Sequence, residues 1–429
     1  MVLPPLCIPM FLHGPTAFGR PILNIEATTK VRANYPSYPN MSKQGEETVK
    51  THEGEFEFDH DETVSDSGSE ASCESESSYS NGGYHRVKIG DTFGDYTVVS
   101  KLGYGQFSTV WCTDKAVALK ITKGDPELQN MIQDEIKFMK KLGNHRNILK
   151  LHDAWTFDAR NGTHSCLVLD LMGMDLFSFL DLFDDSTTMP IPLLVAITRQ
   201  IFEGLQHMAV HDIVHTDLKP ENLLLTRRYT AHDDDFSGIN IKIGDFGSGV
   251  TVGNQCRLYG KTTYYRSPEV VLGTRRLTPA ADVWSAATIC FECLAGDYMF
   301  NPKETEEYCL SSSGSETSSV DDDIDVEHVA LMVEMLGKFP RSMTKSGLGR
   351  KYFNCKGLLK GMGQSKHVPI QKILHEDFDI DPGVALEVQE FLTPLLMYNP
   401  TRRATAEQVL ASPFLNMPTK KEEKKEKAK

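Results

Sequence analysis

Strand-like alternation of apolar and polar residues marks the first strongly patterned part of the chain. YTVVSKL at 96–102 and STVWC at 108–112 have the two-residue period of half-buried strands, and AVALKIT at 116–122 is a short β-rich run. A second pair of stretches, ILKLHDAWTF at 148–157 and SCLVLDLM at 165–172, has the same character. The pattern predicts a small lobe built mainly of strands.

One helix is predicted between these strands. Asp125 has the character of an N-cap, and Pro126 has that of a first helical residue. Apolar residues then follow at helical spacing, namely Leu128, Met131, Ile132, Ile136, Met139 and Leu142. The spacing therefore predicts a helix after Pro126.

Helical periodicity dominates the rest of the chain. Residues 192–211 are amphipathic, and residues 278–296 are apolar nearly all round, as expected for a helix at the centre of a large lobe. The sequence therefore predicts an α+β fold of two lobes, a small β-rich lobe at 96–172 and a large helical lobe at 173–415.

Three segments have a composition unsuited to a packed core. Residues 1–85 are rich in Ser, Glu, Asp, Pro and Gly, which provide too little apolar surface to offset the entropy cost of folding, so we expect disorder. An acidic, serine-rich insert at 303–328 is expected to be a loop, including the aspartate cluster that ends at Asp325. The charged tail at 416–429 is expected to be solvated.

The charge of the chain restricts its partners. The 429 residues have a formal net charge of −14, which argues against a nucleic-acid partner and favours a basic one. The stretch VLPPLCIPMFL at 2–12 is apolar but too short to span a bilayer, and it lacks a basic leading segment, so we expect neither a signal peptide nor a membrane partner. The sequence leaves open whether Met1 or Met41 is the start.

Cysteine and histidine usage indicates neither a disulfide framework nor a metal cluster. The nine cysteines are few for so long a chain. Cys290 and Cys293 form a lone CxxC inside an apolar run and are interpreted as buried thiols. His207 and His211 have metal-ligand spacing without a third ligand, so a helix surface is the better interpretation. These observations indicate a reducing compartment.

Two candidate elements for nucleotide chemistry lie in the small lobe. In GYGQFSTV at 103–110 the glycines would let the backbone close over phosphates, although Ser108 stands where a third glycine is usual and the stretch alone could be a hairpin turn. Lys120 lies on the next strand, and Glu135 on the following helix has the spacing of its ion-pair partner. Singly each is a surface charge, but together they indicate a phosphate site.

The stretch HTDLKPEN at 215–222 has the residue types of a phosphoryl-transfer loop. Asp217 is the candidate base that accepts the substrate hydroxyl proton, and Lys219 would neutralise the transferring group. Asn222 would hold a metal ion from one side, and Asp245 in DFG, after the strand INIKIG, from the other.

In this order the motifs resemble those of the eukaryotic protein kinases, over residues 96–415. The resemblance implies a bilobal kinase fold and the cofactors ATP and Mg²⁺. It also implies a set of nucleotide-binding residues, which are Leu102, Gly103, Tyr104, Gly105, Gln106, Phe107, Ser108, Val110, Ala118, Lys120, Asp170, Met172 and Asp175.

Supporting residues of the same family are also matched. Arg403 would pair with Glu269 of SPE, and Asp282 would brace the catalytic loop. Thr262, seven residues before Glu269, stands where serine/threonine kinases place a hydroxyl near the base and lysine, so it favours Ser or Thr as the acceptor. A pseudokinase scaffold is the alternative from another class, and the complete motif set argues against it.

Three longer stretches resemble the SR-protein kinases of the CMGC group, at 84–111, 291–302 and 351–360. Thr216 replaces the usual arginine of this loop, which also points to the splicing-factor branches. The LAMMER (Clk-type) kinases are the runner-up. The long spacer typical of SR-protein kinases is missing, because only TRRYTAHDDDFSG at 226–238 separates the catalytic loop from DFG.

This resemblance implies a substrate and a mode of control. Arg-Ser-rich proteins would be the partners, and Asp297, Glu327 and Glu334 fall where the family's docking acids lie. Thr216 cannot pair with a phosphate, so we expect constitutive activity. We further expect a monomer in the cytoplasm and nucleus.

Overall fold

A computed structural model of the chain describes residues 74–183, 188–233, 235–255, 262–274, 276–302, 320–346, 349–360 and 367–416. The chain divides into two units, Met1–Ser75 and Glu76–Lys429, and every element below belongs to the second. The predictions for residues 1–73, 303–319 and 417–429 lie outside the described residues.

The small lobe is an antiparallel sheet in the order β1-β2-β3-β4-β6-β5. Its strands are β1 (Thr92–Phe93), β2 (Tyr96–Gly105), β3 (Ser108–Thr113), β4 (Val117–Thr122), β5 (Leu151–Ala159) and β6 (Gly162–Asp170). The two-residue period of β4 sends Leu119 and Ile121 into an apolar cluster on one face of the sheet. Ala118 and Lys120 therefore face the other side, where Ala118 packs into the main core.

The helix of the small lobe begins as the sequence predicts. Asp125 accepts a hydrogen bond from the Glu127 N–H (2.9 Å) and caps a 3-10 turn that leads into α1 (Gln129–Leu142). The helix ends at Gly143, which has φ 63°. Its buried face includes Ile132, Ile136, Met139 and Leu142, and also the carboxylate residue Glu135. The predicted helix is confirmed, and its buried face contains one acidic residue, Glu135.

The large lobe is mainly helical. Its helices are α2 (Leu176–Leu180), α3 (Ile191–Val210), α4 (Pro268–Val271), α5 (Ala280–Ala295), α6 (Val320–Leu336), α7 (Arg341–Thr344), α8 (Gly349–Tyr352), α9 (Ile370–Glu376), α10 (Pro382–Leu392) and α11 (Ala406–Leu410). Every residue from Ala281 to Leu294 is buried, so α5 is the predicted central helix. Cys290 and Cys293 are buried thiols on it, as expected.

Short strands frame the catalytic loop. They are β7 (Met174–Asp175), β8 (Ile213–Val214), β9 (Leu223–Leu225), β10 (Ile241–Ile243) and β11 (Val250–Thr251). β8 pairs with β11, and β9 pairs with both β10 and β7. Residues 215–222 therefore lie between two anchored strands, and Asp245 lies two residues after the end of a third.

The disorder prediction for residues 1–85 is wrong in its last part. Glu76–Tyr79 form a 3-10 turn, and Tyr84 is buried against the small lobe. From Tyr79 onward the sequence YSNGGYHRVKIG replaces the acidic serine tract with aromatic, apolar and turn-forming residues, so this part does contain surface to bury. No helix among the described residues has the length and apolarity to cross a membrane.

The loop prediction for the insert is wrong from Val320 onward, because α6 begins there. Asp325 lies in this helix, with Oδ1 3.4 Å from Arg266 Nη1, and its Oδ2 accepts a hydrogen bond from the Tyr352 hydroxyl (3.3 Å). The apolar residues that follow Asp325 pack into the main core, among them Val329, Ala330 and Met332. This burial stabilises the helix that the acidic composition of the insert conceals.

Candidate active site

Lys120 is placed between two carboxylates at the base of the small lobe. Its Nζ lies 2.7 Å from Glu135 Oε1 on α1 and 3.1 Å from Asp245 Oδ1. Burial opposes the charge of this ammonium, but the carboxylates of Asp245 and Glu135 outweigh that effect and raise the pKa of Lys120 above its ordinary value. The lysine is therefore a fixed positive charge. The structure thus brings together the lysine and glutamate that the sequence pairs by spacing.

Asp245 occupies an unusual backbone position at the end of β10. Its φ is 57°, in the left-handed region that non-glycine residues seldom adopt. The charge of Lys120 holds the pKa of Asp245 below its ordinary value, so the group is a carboxylate at neutral pH. About half of the side chain (54%) is exposed. A charged and accessible carboxylate is suited to binding a cation.

Asp282, in the first turn of α5, anchors the backbone of the catalytic loop. Its Oδ2 accepts a hydrogen bond from the His215 N–H (2.7 Å), and its Oδ1 accepts one from the Thr216 N–H (2.9 Å). The His215 ring nitrogen Nε2 lies 2.9 Å from the carbonyl oxygen of Gly244, next to Asp245. The buried Asp282 and His215 therefore link the catalytic loop to the DFG segment.

Thr216 has a strained backbone and an uncharged tether. Its φ is 70°, which for a β-branched residue costs on the order of 1–3 kcal/mol. Its hydroxyl donates a hydrogen bond to the carbonyl of Ser248 (2.8 Å), three residues after Asp245. The contacts of Thr216 with Ser248 and Asp282 stabilise this conformation. The loop thus reaches the DFG segment without a charged side chain.

The remaining predicted catalytic residues converge on Asp217. Lys219 Nζ lies 3.7 Å from Asp217 Oδ2 and donates a hydrogen bond to the Thr262 hydroxyl (3.2 Å). The Asn222 side-chain N–H donates to the backbone carbonyl of Asp217 (2.8 Å), which leaves its amide oxygen as an acceptor. The structure therefore places Asp217, Lys219, Asn222 and Thr262 in one site.

The donor set fits a divalent cation that is shared with a nucleotide. Among the described residues no group of three or more His, Cys, Asp or Glu side chains could hold a metal alone. Asn222 and Asp245 offer one amide oxygen and one carboxylate. Mg²⁺ typically binds one or two carboxylates and takes its other ligands from phosphates and water. These two residues are therefore sufficient only when phosphate oxygens complete the shell.

The glycine-rich stretch forms the hairpin of β2 and β3. Gln106 and Phe107 are its turn, because Gly105 pairs with Ser108 across the hairpin. A Cβ added at Gly105 would meet no atom within 4 Å, so open space lies beside the loop. The other predicted nucleotide contacts are distributed as Leu102, Gly103 and Tyr104 on β2, Val110 on β3, Ala118 on β4, Asp170 at the end of β6, Met172 after it, and Asp175 on β7.

Two of these predicted contacts have side chains that bind other parts of the protein. The Asp170 carboxylate lies 2.8 Å from both Lys242 Nζ and His152 Nε2. Although burial opposes its charge, these hydrogen bonds lower the pKa of Asp170. The Asp175 carboxylate caps α2 by accepting the Ser178 N–H (2.6 Å). Both carboxylates therefore already accept hydrogen bonds from donors within the protein.

The three predicted docking acids are half-buried and lie in two places. Glu327 and Glu334 are seven residues apart on α6, about two turns, so they share a face of that helix. Asp297 follows α5, and its Oδ1 accepts the Tyr298 N–H (2.7 Å). The Tyr298 ring stacks on Tyr264 at 4.1 Å. Asp297 is thus connected to the segment that follows Thr262.

Sequence reasoning missed several contributors to the site. The Ser248 contact uses a backbone carbonyl, for which no residue type gives a signal. Asp325 was assigned to a loop, although its contact with Arg266 joins α6 to the segment after Thr262. The disorder prediction for residues 1–85 includes Tyr84, although the composition changes after the acidic tract and the SR-protein kinase resemblance begins at this residue.

Comparison with known proteins agrees with this geometry. The family profile described as "Protein kinase domain" matches residues 96–415. Serine/threonine-protein kinase SRPK of Physarum polycephalum is 32% identical over 398 residues, covering 79% of this chain and 90% of that relative. This chain belongs to the SR-protein kinase family. Protein kinase dsk1 of Schizosaccharomyces pombe and SRSF protein kinase 3 of Homo sapiens are each 25% identical, covering 79% of this chain and 84% and 89% of those relatives.

As an SR-protein kinase, the protein is a serine/threonine protein kinase that uses ATP and a divalent metal ion. The predicted bilobal fold is confirmed by the strand-rich and helical lobes and by the family match.

Proposed function

We propose that this kinase phosphorylates serines in Arg-Ser-rich proteins with ATP and Mg²⁺, and that it does so without prior phosphorylation of its own activation segment. The observation that carries the second part is the Thr216 hydroxyl, which donates to the Ser248 carbonyl. The names of the relatives, among them SRSF protein kinase 3, support the first part. Phosphorylation of an Arg-Ser peptide by the purified full-length chain is the direct test.

In this proposal the residues of the site have separate roles. Asp217 accepts the proton of the substrate hydroxyl, and Lys219 stabilises the negative charge of the transferring group. Lys120, fixed by Glu135, orients the nucleotide phosphates. Mg²⁺ held by Asn222 and Asp245 would neutralise phosphate charge when bound.

Independence from phosphorylation rests on the tethers of the catalytic loop. A kinase with arginine at the position of Thr216 has a buried cation that a phosphate on the activation segment can neutralise. Here the loop is held by a neutral hydroxyl and by Asp282, which binds two backbone N–H groups. The Lys120 ammonium contacts the carboxylates of both Glu135 and Asp245. Because Thr216 is uncharged, this position needs no phosphate to neutralise it.

We therefore expect protein made in bacteria and treated with phosphatase to phosphorylate an Arg-Ser peptide at an undiminished rate. The measurement is the initial rate at saturating ATP before and after treatment, with mass spectrometry to verify that no phosphate remains. Thr216→Val, which keeps the shape of the side chain and removes the hydroxyl, should lower the rates of treated and untreated protein alike. A large loss of activity on phosphatase treatment would overturn the proposal.

Substrate choice in this proposal rests on carboxylates of the large lobe. Asp297 after α5 and the two α6 residues Glu327 and Glu334 provide three acids, and the chain as a whole is acidic. Arginine suits such carboxylates because its guanidinium presents a fork of donors, so Arg-Ser should be preferred over Lys-Ser. Partly exposed ion pairs contribute only about 0.2–1 kcal/mol each and are screened by salt. The effect should therefore be shared among the acids and sensitive to salt.

Replacing Asp297, Glu327 and Glu334 together by lysine should raise the KM for a long Arg-Ser substrate several-fold or more at low salt. The KM for ATP should stay unchanged, because the nucleotide site is not altered. Steady-state kinetics at two ionic strengths would measure both values, and the difference from wild type should shrink at high salt.

A matched triple variant separates docking from net charge. Asp377, Glu387 and Glu390 are exposed acids outside α6, and their replacement by lysine changes the charge of the chain by the same amount. This control should leave the KM for the Arg-Ser substrate near the wild-type value. Equal effects of the two triple variants, or no effect of the first at low salt, would remove the docking assignment and leave a general serine/threonine kinase.

A further inference from the structure

A segment upstream of the matched kinase domain has a defined place on the small lobe. We call this segment, Glu76–Lys88, the brace. The Gly82 N–H donates to the Asn161 carbonyl (2.7 Å), and the Asn161 side-chain amide donates to the carbonyl of Tyr84 (2.8 Å). Asn161 lies in the turn between β5 and β6, so the brace is attached to the sheet that carries the glycine-rich hairpin.

The brace packs against the backbone around Gly124 and Gly162, where main-chain atoms lie very close together. The Gly124 N–H donates to the Gly83 carbonyl (2.9 Å). A Cβ at Gly162 would lie 2.3 Å from the Gly124 carbonyl oxygen, and a Cβ at Gly124 would lie 2.8 Å from the Asn161 carbonyl oxygen. Glycine is therefore required at both positions, where the segment after β4 and the start of β6 approach each other. This packing fixes the position from which Tyr84 projects.

Tyr84 connects the brace to the tip of the glycine-rich hairpin. Its side chain is buried, with 5% of its surface exposed, and its hydroxyl donates a hydrogen bond to the carbonyl of Gly105 (2.7 Å). The Lys123 ammonium lies 4.4 Å from the centre of the Tyr84 ring, and the Lys123 N–H donates to the Phe107 carbonyl (2.8 Å). The turn of Gln106 and Phe107 is therefore held on both sides, by Tyr84 before it and by Lys123 after it.

These contacts bear on nucleotide binding. A two-residue hairpin tip with open space beside it is free to move, and ordering such a loop at the moment of binding reduces affinity. A hydrogen bond to Gly105 orders the tip beforehand. We propose that Tyr84 is a positioning residue that holds the glycine-rich loop at the height needed for the ATP phosphates. This inference rests on the proposed role of the loop at those phosphates.

The test is Tyr84→Phe in the full-length chain, which keeps the ring and removes only the hydroxyl. One hydrogen bond corresponds to about a two- to tenfold change in an equilibrium constant. We therefore expect the Kd for MgATP, measured by calorimetry, and the KM for ATP to rise about threefold or more. The kcat at saturating ATP should change little, because Tyr84 touches no reacting group. Amide hydrogen exchange of residues 104–109 should become faster.

Tyr96→Phe is the matched control. Tyr96 opens β2 of the same hairpin, and its ring stacks on Trp155 at 6.3 Å, while its hydroxyl makes no hydrogen bond within the described residues. Its loss should leave Kd, KM and exchange at 104–109 unchanged. If Tyr84→Phe leaves the Kd for MgATP and loop exchange unchanged, with or without a lower Tm, Tyr84 only packs and the inference is wrong. A wild-type chain that binds no MgATP would instead contradict the proposed function itself.

Discussion

Replacement of Asp217 by asparagine is expected to lower kcat by about 100-fold or more, because general base catalysis contributes about 10²–10⁴ in rate. Asparagine has nearly the shape of aspartate but cannot accept the proton of the substrate hydroxyl. The Asn222 side-chain N–H donates to the backbone carbonyl of residue 217, and this contact survives the substitution. Lys120, Glu135 and Asp245 are also unaltered, so the Kd for MgATP should remain close to the wild-type value.

Two further variants make this result specific. Asp153→Asn removes an equal charge from an exposed position on β5 and should leave kcat unchanged. Lys120→Met should also abolish activity, but for a different reason, because it removes the cation that orients the phosphates and leaves Glu135 buried without its partner. Calorimetry with MgATP therefore separates the two losses. Near-wild-type turnover by Asp217→Asn would show that the base has been assigned wrongly.

Much of the fold follows from local patterns. In β4, Leu119 and Ile121 alternate with Ala118 and Lys120 in the sequence. Because neighbouring side chains of a strand face opposite sides, this alternation predicts which residues share a face. The same holds for α5, whose apolar run could only be a buried helix. Such patterns depend on burial of each element as a whole, so small errors at the ends do not change the prediction.

The candidate site was also predictable, because each motif lies at the end of an element. Lys120 on a strand, Glu135 on the next helix and Asp245 after a short strand meet within 3.1 Å although they are far apart in sequence. Their residue types report charge and chemistry. The spacing of motifs in a known family then supplies the long-range contact, which physical reasoning from one sequence would not supply.

The unpredicted features arise where residue type carries little information. Thr216 adopts a positive φ only because Asp282 and the Ser248 carbonyl hold it, and neither contact is visible in the local sequence. Tyr84 stands just after a tract of serine and acid, so an average over residues 1–85 concealed its surroundings. The acidic composition of the insert predicts a loop at Asp325, whereas burial of the apolar residues after it, such as Val329 and Met332, stabilises a helix there.

The second large effect concerns stability, at the buried ion pair of Arg403 and Glu269. The guanidinium binds the carboxylate through two hydrogen bonds of 2.8 Å each, and it also donates to the carbonyls of Ala280 (2.6 Å) and Met397 (3.0 Å). The Arg403 side chain has no exposed surface, and the Trp284 ring lies 5.1 Å from it. One side chain thus joins the loop before α11 to α4 and to the start of α5.

Arg403→Ala is expected to lower the free energy of unfolding by about 3–5 kcal/mol, because it leaves the Glu269 carboxylate buried without its partner. Chemical denaturation of the full-length chain would measure the loss. The neighbouring Arg402 is exposed, and Arg402→Ala should stay within about 0.5 kcal/mol of wild type.

The double variant Arg403→Ala/Glu269→Ala distinguishes a buried charge from simple loss of packing. With both partners removed, no carboxylate is left buried alone. The free energy of unfolding of the double variant should therefore fall by less than the sum of the two single losses. The coupling should amount to about 1–3 kcal/mol, as for other residues that share one hydrogen-bonded network. Strictly additive losses would mean that Arg403 stabilises the lobe by filling space beside Trp284 and not by pairing with Glu269.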